Sequence, residues 1–171
     1  MNWWQNLFIS SSKHATVAST GQLNAVQIAR QSELPVIVAP VTGQLQRITL
    51  DNDQLNNRHG FMMIPNGRDI MSPVAGIVTD AVPQAITIRN ERYGTVTVQV
   101  MCEKAQDVRL ASYRTGQQLH AGDLIGSVRQ HAQSVRVYVL FEAQAMPFVS
   151  YGAVYAGQNI WRSQEEIDAK E

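Results

Sequence analysis

The chain has 171 residues, enough for one compact domain and short for two, so a single core is expected. Its 14 Lys and Arg are balanced by 14 Asp and Glu, and only 16% of residues are charged, so composition supplies no basic footprint for nucleic acid. The one cysteine, Cys102, excludes an internal disulfide and a cysteine-rich metal site, which suits a reducing compartment.

No apolar run approaches the roughly 20 residues needed to span a bilayer, and the N-terminus lacks the basic start and long apolar core of a signal peptide. The expected location is cytoplasmic. Residues 1–33 read as an N-terminal segment and linker, 34–162 as one β domain, and 163–171 as a charged tail. Trp3, Trp4, Leu7 and Phe8 would share one face of a short helix. Two uses of that face stand side by side: packing on the domain or fraying as a tail, and weak peripheral contact with a membrane surface through the indoles.

From Leu34 onward the signals are those of strands. Gln44 to Leu50 alternates polar and apolar residues, and Asp51 to Gly60 is a polar, turn-rich loop. Phe61 to Ile64 is an apolar run closed by Pro65-Asn-Gly67. Ala85 to Ile88 and Thr95 to Val100 alternate with β-branched residues and are joined across Asn90-Glu-Arg-Tyr-Gly94, which predicts a hairpin. Ser134 to Phe141 alternates in the same way, and Ile160-Trp161 closes the series.

Two punctuation patterns are doubled. Val36-Ile-Val-Ala-Pro-Val-Thr-Gly43 and Ile70-Met-Ser-Pro-Val-Ala-Gly76 each run an apolar strand into a Pro-Val-x-Gly corner, where proline presets φ and glycine is expected to supply φ > 0. Gly116-Gln-Gln-Leu-His-Ala-Gly122 and Gly152-Ala-Val-Tyr-Ala-Gly157 form the second pair. The expectation is one all-β module built from two related halves, with the corners in equivalent places.

Sites for chemistry are sparse. The histidines His14, His59, His120 and His131 have no metal-ligand spacing, so no metal and no cofactor is expected. His59, beside Gly60 in the polar loop, is the one worth testing. No serine or threonine lies in a nucleophile elbow, and no glycine-rich phosphate loop precedes a helix.

Gly60-Phe-Met-Met-Ile-Pro-Asn-Gly-Arg-Asp-Ile-Met-Ser-Pro-Val-Ala-Gly76 resembles a stretch of glucose-type enzyme IIA of the phosphoenolpyruvate-dependent sugar phosphotransferase system. That family's pattern, G-x-x-apolar-x-P-x-G-x-x-x-x-[AS]-P-V-x-G, is met at Gly60, Pro65, Gly67, Pro73, Val74 and Gly76. Ile37 to Gly43 is similar to its opening I-x-A-P-x-x-G, and Gln117 to Asp123 to its G-x-x-V-x-x-G-D turn. The resemblance spans about 34–162 and implies an antiparallel β-sandwich of the duplicated hybrid-motif, or barrel-sandwich, type.

It also implies a site of two histidines on neighbouring strands, one of which takes a phosphoryl group from the carrier protein HPr. Here the first position falls on Gln84 and the second on Val100 or Met101. Neither is histidine, so the resemblance implies a pseudoenzyme that keeps the fold without the relay. Such a chain would be a regulatory or protein-binding module whose partners are HPr, a sugar permease or a regulated cytosolic protein. Leu55, Gln84, Val98, Val100 and Met101 are expected to form its docking face. Two alternatives remain at this point: a phosphocarrier for sugar uptake that uses His59 instead, and a pyruvoyl-dependent decarboxylase, suggested by Gly126-Ser127 at an expected turn and strand start.

Overall fold

The computed structural model describes residues 36–48, 59–129, 132, 134–142, 148–163 and 168. Eleven strands follow one another there: β1 (Gly43–Arg47), β2 (His59–Pro65), β3 (Asp69–Met71), β4 (Gly76–Val82), β5 (Ala85–Asn90), β6 (Gly94–Met101), β7 (Val108–Leu110), β8 (Gln118–Leu119), β9 (Leu124–Val128), β10 (Arg136–Phe141) and β11 (Gly152–Val154). A single 3-10 turn, Ala105–Asp107, separates β6 from β7. The strands form an antiparallel sandwich of an eight-stranded sheet, in the order β11-β1-β2-β10-β6-β5-β4-β8, and a three-stranded sheet, β3-β9-β7. The N-terminal segment with Trp3, Trp4, Leu7 and Phe8, the loop carrying Leu55, and His14 and His131 lie outside the described residues.

Period-2 alternation places the core. In β6, Val96, Val98 and Val100 point inward while Thr95, Thr97, Gln99 and Met101 alternate to the other face. Ile86 and Ile88 of β5, Phe61 and Met63 of β2, and Val137 and Val139 of β10 complete the same layer, all at 0–1% exposure. β10 differs from the simple alternation because it is apolar on both faces. Its outward Tyr138 and Leu140 join Met62 in a second cluster against which Ile48 and Met101 pack.

The order of the large sheet reads the same from either end about the β10–β6 pair, and the register shows why. Val139 faces Val98 at the centre, and the pair Val137↔Val100 on one side is matched by Phe141↔Val96 on the other. A pseudo-two-fold axis therefore relates β10 to β6, β2 to β5, β1 to β4 and β11 to β8. The Pro-Val-x-Gly corners meet across this axis through reciprocal hydrogen bonds: Val38 N–H donates to the Pro73 carbonyl at 2.9 Å, and Met71 N–H to the Pro40 carbonyl at 2.7 Å. The second doubled pattern obeys the same relation. Gly157 N–H donates to Ala39 O and Gly122 N–H to Ser72 O, both at 2.8 Å, with φ of 79° and 87° respectively. The leading glycines, Gly116 and Gly152, are one place out of step, since Leu119 and Val154 are the residues paired with Gly76 and Gly43.

Three local expectations are corrected. The corner glycines are not required for a left-handed turn: Gly43 has no positive φ, and Gly76, at 159°, is close to extended. The requirement is close approach, because a Cβ on Gly43 would lie 2.1 Å from the Ile64 carbonyl oxygen and one on Gly76 2.4 Å from that of Arg89. Ile160-Trp161 makes no strand ladder and contributes a single bridge, Val149↔Trp161. Gly126-Ser127 sits mid-strand in β9, paired on both sides with β3 and β7, rather than at a turn.

Candidate functional site

The two positions singled out in sequence come together on the β5–β6 hairpin. A two-residue turn, Pro83-Gln84, links β4 to β5, with Val82 opposite Ala85. The β5–β6 register runs from Asn90↔Gly94 to Ala85↔Gln99, and the Val100 N–H extends it by donating to the Gln84 carbonyl at 2.8 Å. Gln84 and Val100 are thus direct cross-strand partners, the adjacency that a pair of cooperating side chains needs.

Their environments are unlike. Gln84 is exposed at the turn, whereas Val100 is 1% and Val98 0% exposed within the sandwich core. The expected docking role of Val98 and Val100 is therefore corrected: strand alternation turns both side chains inward, where no partner reaches them. Met101, one residue on, points to the opposite face and packs, half-buried, beside Met62, Tyr138 and Leu140. Of the five expected docking residues, Gln84 is exposed, Met101 is half-buried, and Leu55 is outside the described residues.

Chemically, the pair offers an amide and an alkyl group. Gln84 can donate and accept hydrogen bonds, but its amide nitrogen is not a nucleophile at neutral pH, and Val100 has neither capacity. Among the described residues no cluster of three His, Cys, Asp or Glu side chains is arranged to hold a metal.

His59 opens β2 and is exposed. It faces Phe141, which faces Val96, which faces Ile88. The row through Gln84 is instead Val100, Val137 and Met63, so His59 stands four residues, about 13 Å, farther along the strands and three strand spacings away. The pseudo-two-fold axis nonetheless gives it a particular place. Pro65 opposite Gly43 corresponds to Asn90 beside Gly76, and counting back along β2 and β5 makes His59 the counterpart of Gln84 and Phe141 that of Val100. Sequence reasoning could not see this equivalence, because His59 and Gln84 have no local motif in common; only the registers relate them.

His120 occupies a different setting. Its backbone N–H donates to Asp123 Oδ2 at 2.7 Å and its Nδ1 lies 3.3 Å from the same oxygen, closing the turn between β8 and β9. Tyr155 and Gln158 repeat that turn in the other half, with the Tyr155 N–H donating to Gln158 Oε1 at 3.1 Å. The carboxylate of Asp123 has a structural task there.

No protein-family model and no curated protein sequence matches the chain. Among solved structures it is similar to glucose permease IIA from Mycoplasma capricolum, with a TM-score of 0.61 and 18% sequence identity over 74% of this chain and 93% of that one. At that identity the likeness is one of fold.

Proposed function

We propose that this chain is a noncatalytic counterpart of the glucose-type IIA proteins: a cytoplasmic regulatory or protein-binding module of a sugar phosphotransferase system rather than a phosphocarrier. The observation that carries the proposal is the pairing of Gln84 with Val100 at the place where the sequence resemblance calls for two histidines. Phosphoryl transfer needs a nucleophile about 3 Å from phosphorus in line with the leaving group, and this pair provides none. The fold likeness to a IIA protein supports the assignment of scaffold, and it makes HPr, a sugar permease or a regulated cytosolic protein the partners to try.

The test is direct. Purified chain incubated with phosphoenolpyruvate, enzyme I and HPr should show no acid-labile mass increase, while immobilised chain should retain one of these partners from cytosol. A phosphorylated product would end the noncatalytic reading.

A second reading has one observation in its favour. His59 occupies, in the first half, the place that Gln84 has in the second, so a relay moved across the pseudo-two-fold axis would use that imidazole. Phosphate found in the same assay, lost in His59→Ala and kept in His120→Ala, would establish it. The decarboxylase alternative receives no comparable support, since Gly126-Ser127 lies in a paired strand; it requires two chains on a denaturing gel.

A further inference from the structure

The link between β2 and β3, Asn66-Gly67-Arg68, holds the one Asn-Gly pair of the chain. Packing requires the glycine. A Cβ on Gly67 would lie 2.9 Å from Thr42 Cβ, the branch point of a stiff side chain that cannot swing aside. Thr42 is itself anchored, because its hydroxyl accepts the Ala156 N–H at 3.0 Å. The fold therefore imposes, next to an asparagine, the residue that protects it least, since glycine has no side chain to hinder attack of its own nitrogen on the preceding carboxamide.

The described asparagines are Asn66, Asn90 and Asn159, and they differ sharply in this respect. The Asn90 carboxamide makes three hydrogen bonds and is followed by Glu91. Asn159 Oδ1 accepts the Trp161 N–H at 3.1 Å, and the β-branched Ile160 follows it. Asn66 is exposed, and among the described residues its carboxamide has no hydrogen-bond partner. Its restraint comes from the backbone: the N–H groups of Asn66 and Gly67 both donate to the Thr42 carbonyl, at 2.9 and 3.1 Å. Attack on Asn66 Cγ needs the Gly67 nitrogen deprotonated and turned toward that carbon, and a donated N–H is neither. The Gly67 bond is the longer of two that share one acceptor, in an exposed turn, where local opening is easiest.

We propose that Asn66 is a site of spontaneous covalent modification, deamidation through a cyclic imide, with a rate set by release of the Gly67 N–H from the Thr42 carbonyl. The Gly67 nitrogen gives its proton to base and bonds to Asn66 Cγ; the bond from Cγ to the amide nitrogen breaks, and that nitrogen leaves as ammonia. Water then opens the imide at either carbonyl. The product is aspartate or, with the main chain rerouted through Cγ, isoaspartate. Either one adds a negative charge to a chain whose formal charge is zero. Isoaspartate also lengthens the link between β2 and β3 just before Arg68, whose carbonyl accepts the Val128 N–H of β9 at 2.7 Å, so the slow reaction loosens the attachment between the two sheets. The proposal is independent of the binding-module reading.

The experiment holds the full chain in mildly alkaline buffer, folded in one sample and unfolded by guanidinium chloride in the other, and follows each asparagine by peptide mapping and isoaspartyl methylation. The folded chain should convert at Asn66, faster as pH rises, while Asn90 and Asn159 remain amides. In the unfolded chain Asn66 should convert about tenfold or more faster, because the Thr42 carbonyl no longer holds the Gly67 N–H. Equal rates at Asn66 in the two samples would overturn control by that hydrogen bond. An intact Asn66 in the folded chain after the unfolded chain has converted completely, or conversion of Asn90 or Asn159 ahead of it, would overturn Asn66 as the site.

Discussion

Val100 and Gln84 show how much one side chain's surroundings decide. Introducing histidine at the exposed Gln84 should leave stability within about 0.5 kcal/mol, as for surface substitutions generally. The same change at Val100, 1% exposed in the core, places a polar ring where no partner is available and should cost about 2–4 kcal/mol. Chemical denaturation of the two single variants measures the contrast, and equal midpoints would contradict the core placement of Val100. Tyr93 presents the converse case. It is 7% exposed, packs edge-on against Phe141 with ring centroids 5.7 Å apart, and its hydroxyl has no hydrogen-bond partner among the described residues. Tyr93→Phe should therefore be neutral or stabilise by about 1–2 kcal/mol at pH 7, since it removes an unsatisfied polar group and keeps the ring.

The same tyrosine makes a pH prediction. Burial raises its pKa above the usual 10.0, with Arg92 opposing the shift. A folded-state pKa above the unfolded value means that the folded state holds the proton more tightly, so the contribution is fully present below about pH 10 and is lost as pH rises through the folded value. Tyr113 is shifted the same way, first by burial and then by Asp123. Thermal midpoints should fall above pH 10, and less steeply in Tyr93→Phe; an identical decline in the variant would remove Tyr93 as a cause.

At the scale of elements, the β5–β6 hairpin depends on its turn as well as on its alternating residues. The Asn90 side chain accepts hydrogen bonds from Arg92 N–H at 2.9 Å and Tyr93 N–H at 2.8 Å, and donates to the Ala75 carbonyl at 2.7 Å. It thereby closes the turn and ties it to the second corner. Asn90→Ala should destabilise by about 1–3 kcal/mol through these three bonds, measurable in urea with an unchanged m-value. The first corner is sensitive for a steric reason. Gly43→Val places side-chain atoms against the Ile64 carbonyl and should cost about 3 kcal/mol or prevent folding. A variant with the parent's melting temperature would show that β1 and β2 can move apart at that point.

For the whole molecule, the two related halves are interleaved and cannot act as separate domains. In chain order β1 and β2 come first and β10 and β11 last, yet these four are adjacent in the large sheet, while β4, β5, β6 and β8 fill the other side. Each corner also donates a hydrogen bond to the other. Unfolding should accordingly be a single cooperative transition, with calorimetric and van't Hoff enthalpies equal; two resolved transitions would mean that the halves open independently.

Much of this architecture was legible in the residues. Alternating valines, isoleucines and threonines determine strands because a pleated, half-buried backbone gives successive side chains opposite environments. The doubled Pro-Val-x-Gly corners announced two related halves because the same corner meets the same backbone requirement twice. What the sequence could not disclose depends on register. That Val98 and Val100 belong to the core, that the corner glycines answer to a neighbouring carbonyl rather than to a left-handed turn, and that His59 is the counterpart of Gln84 are decided by which residues face one another across strands. Such pairings join positions far apart in the chain and leave no local pattern, so only the tertiary structure, through long-range hydrogen bonds and packing, could decide them.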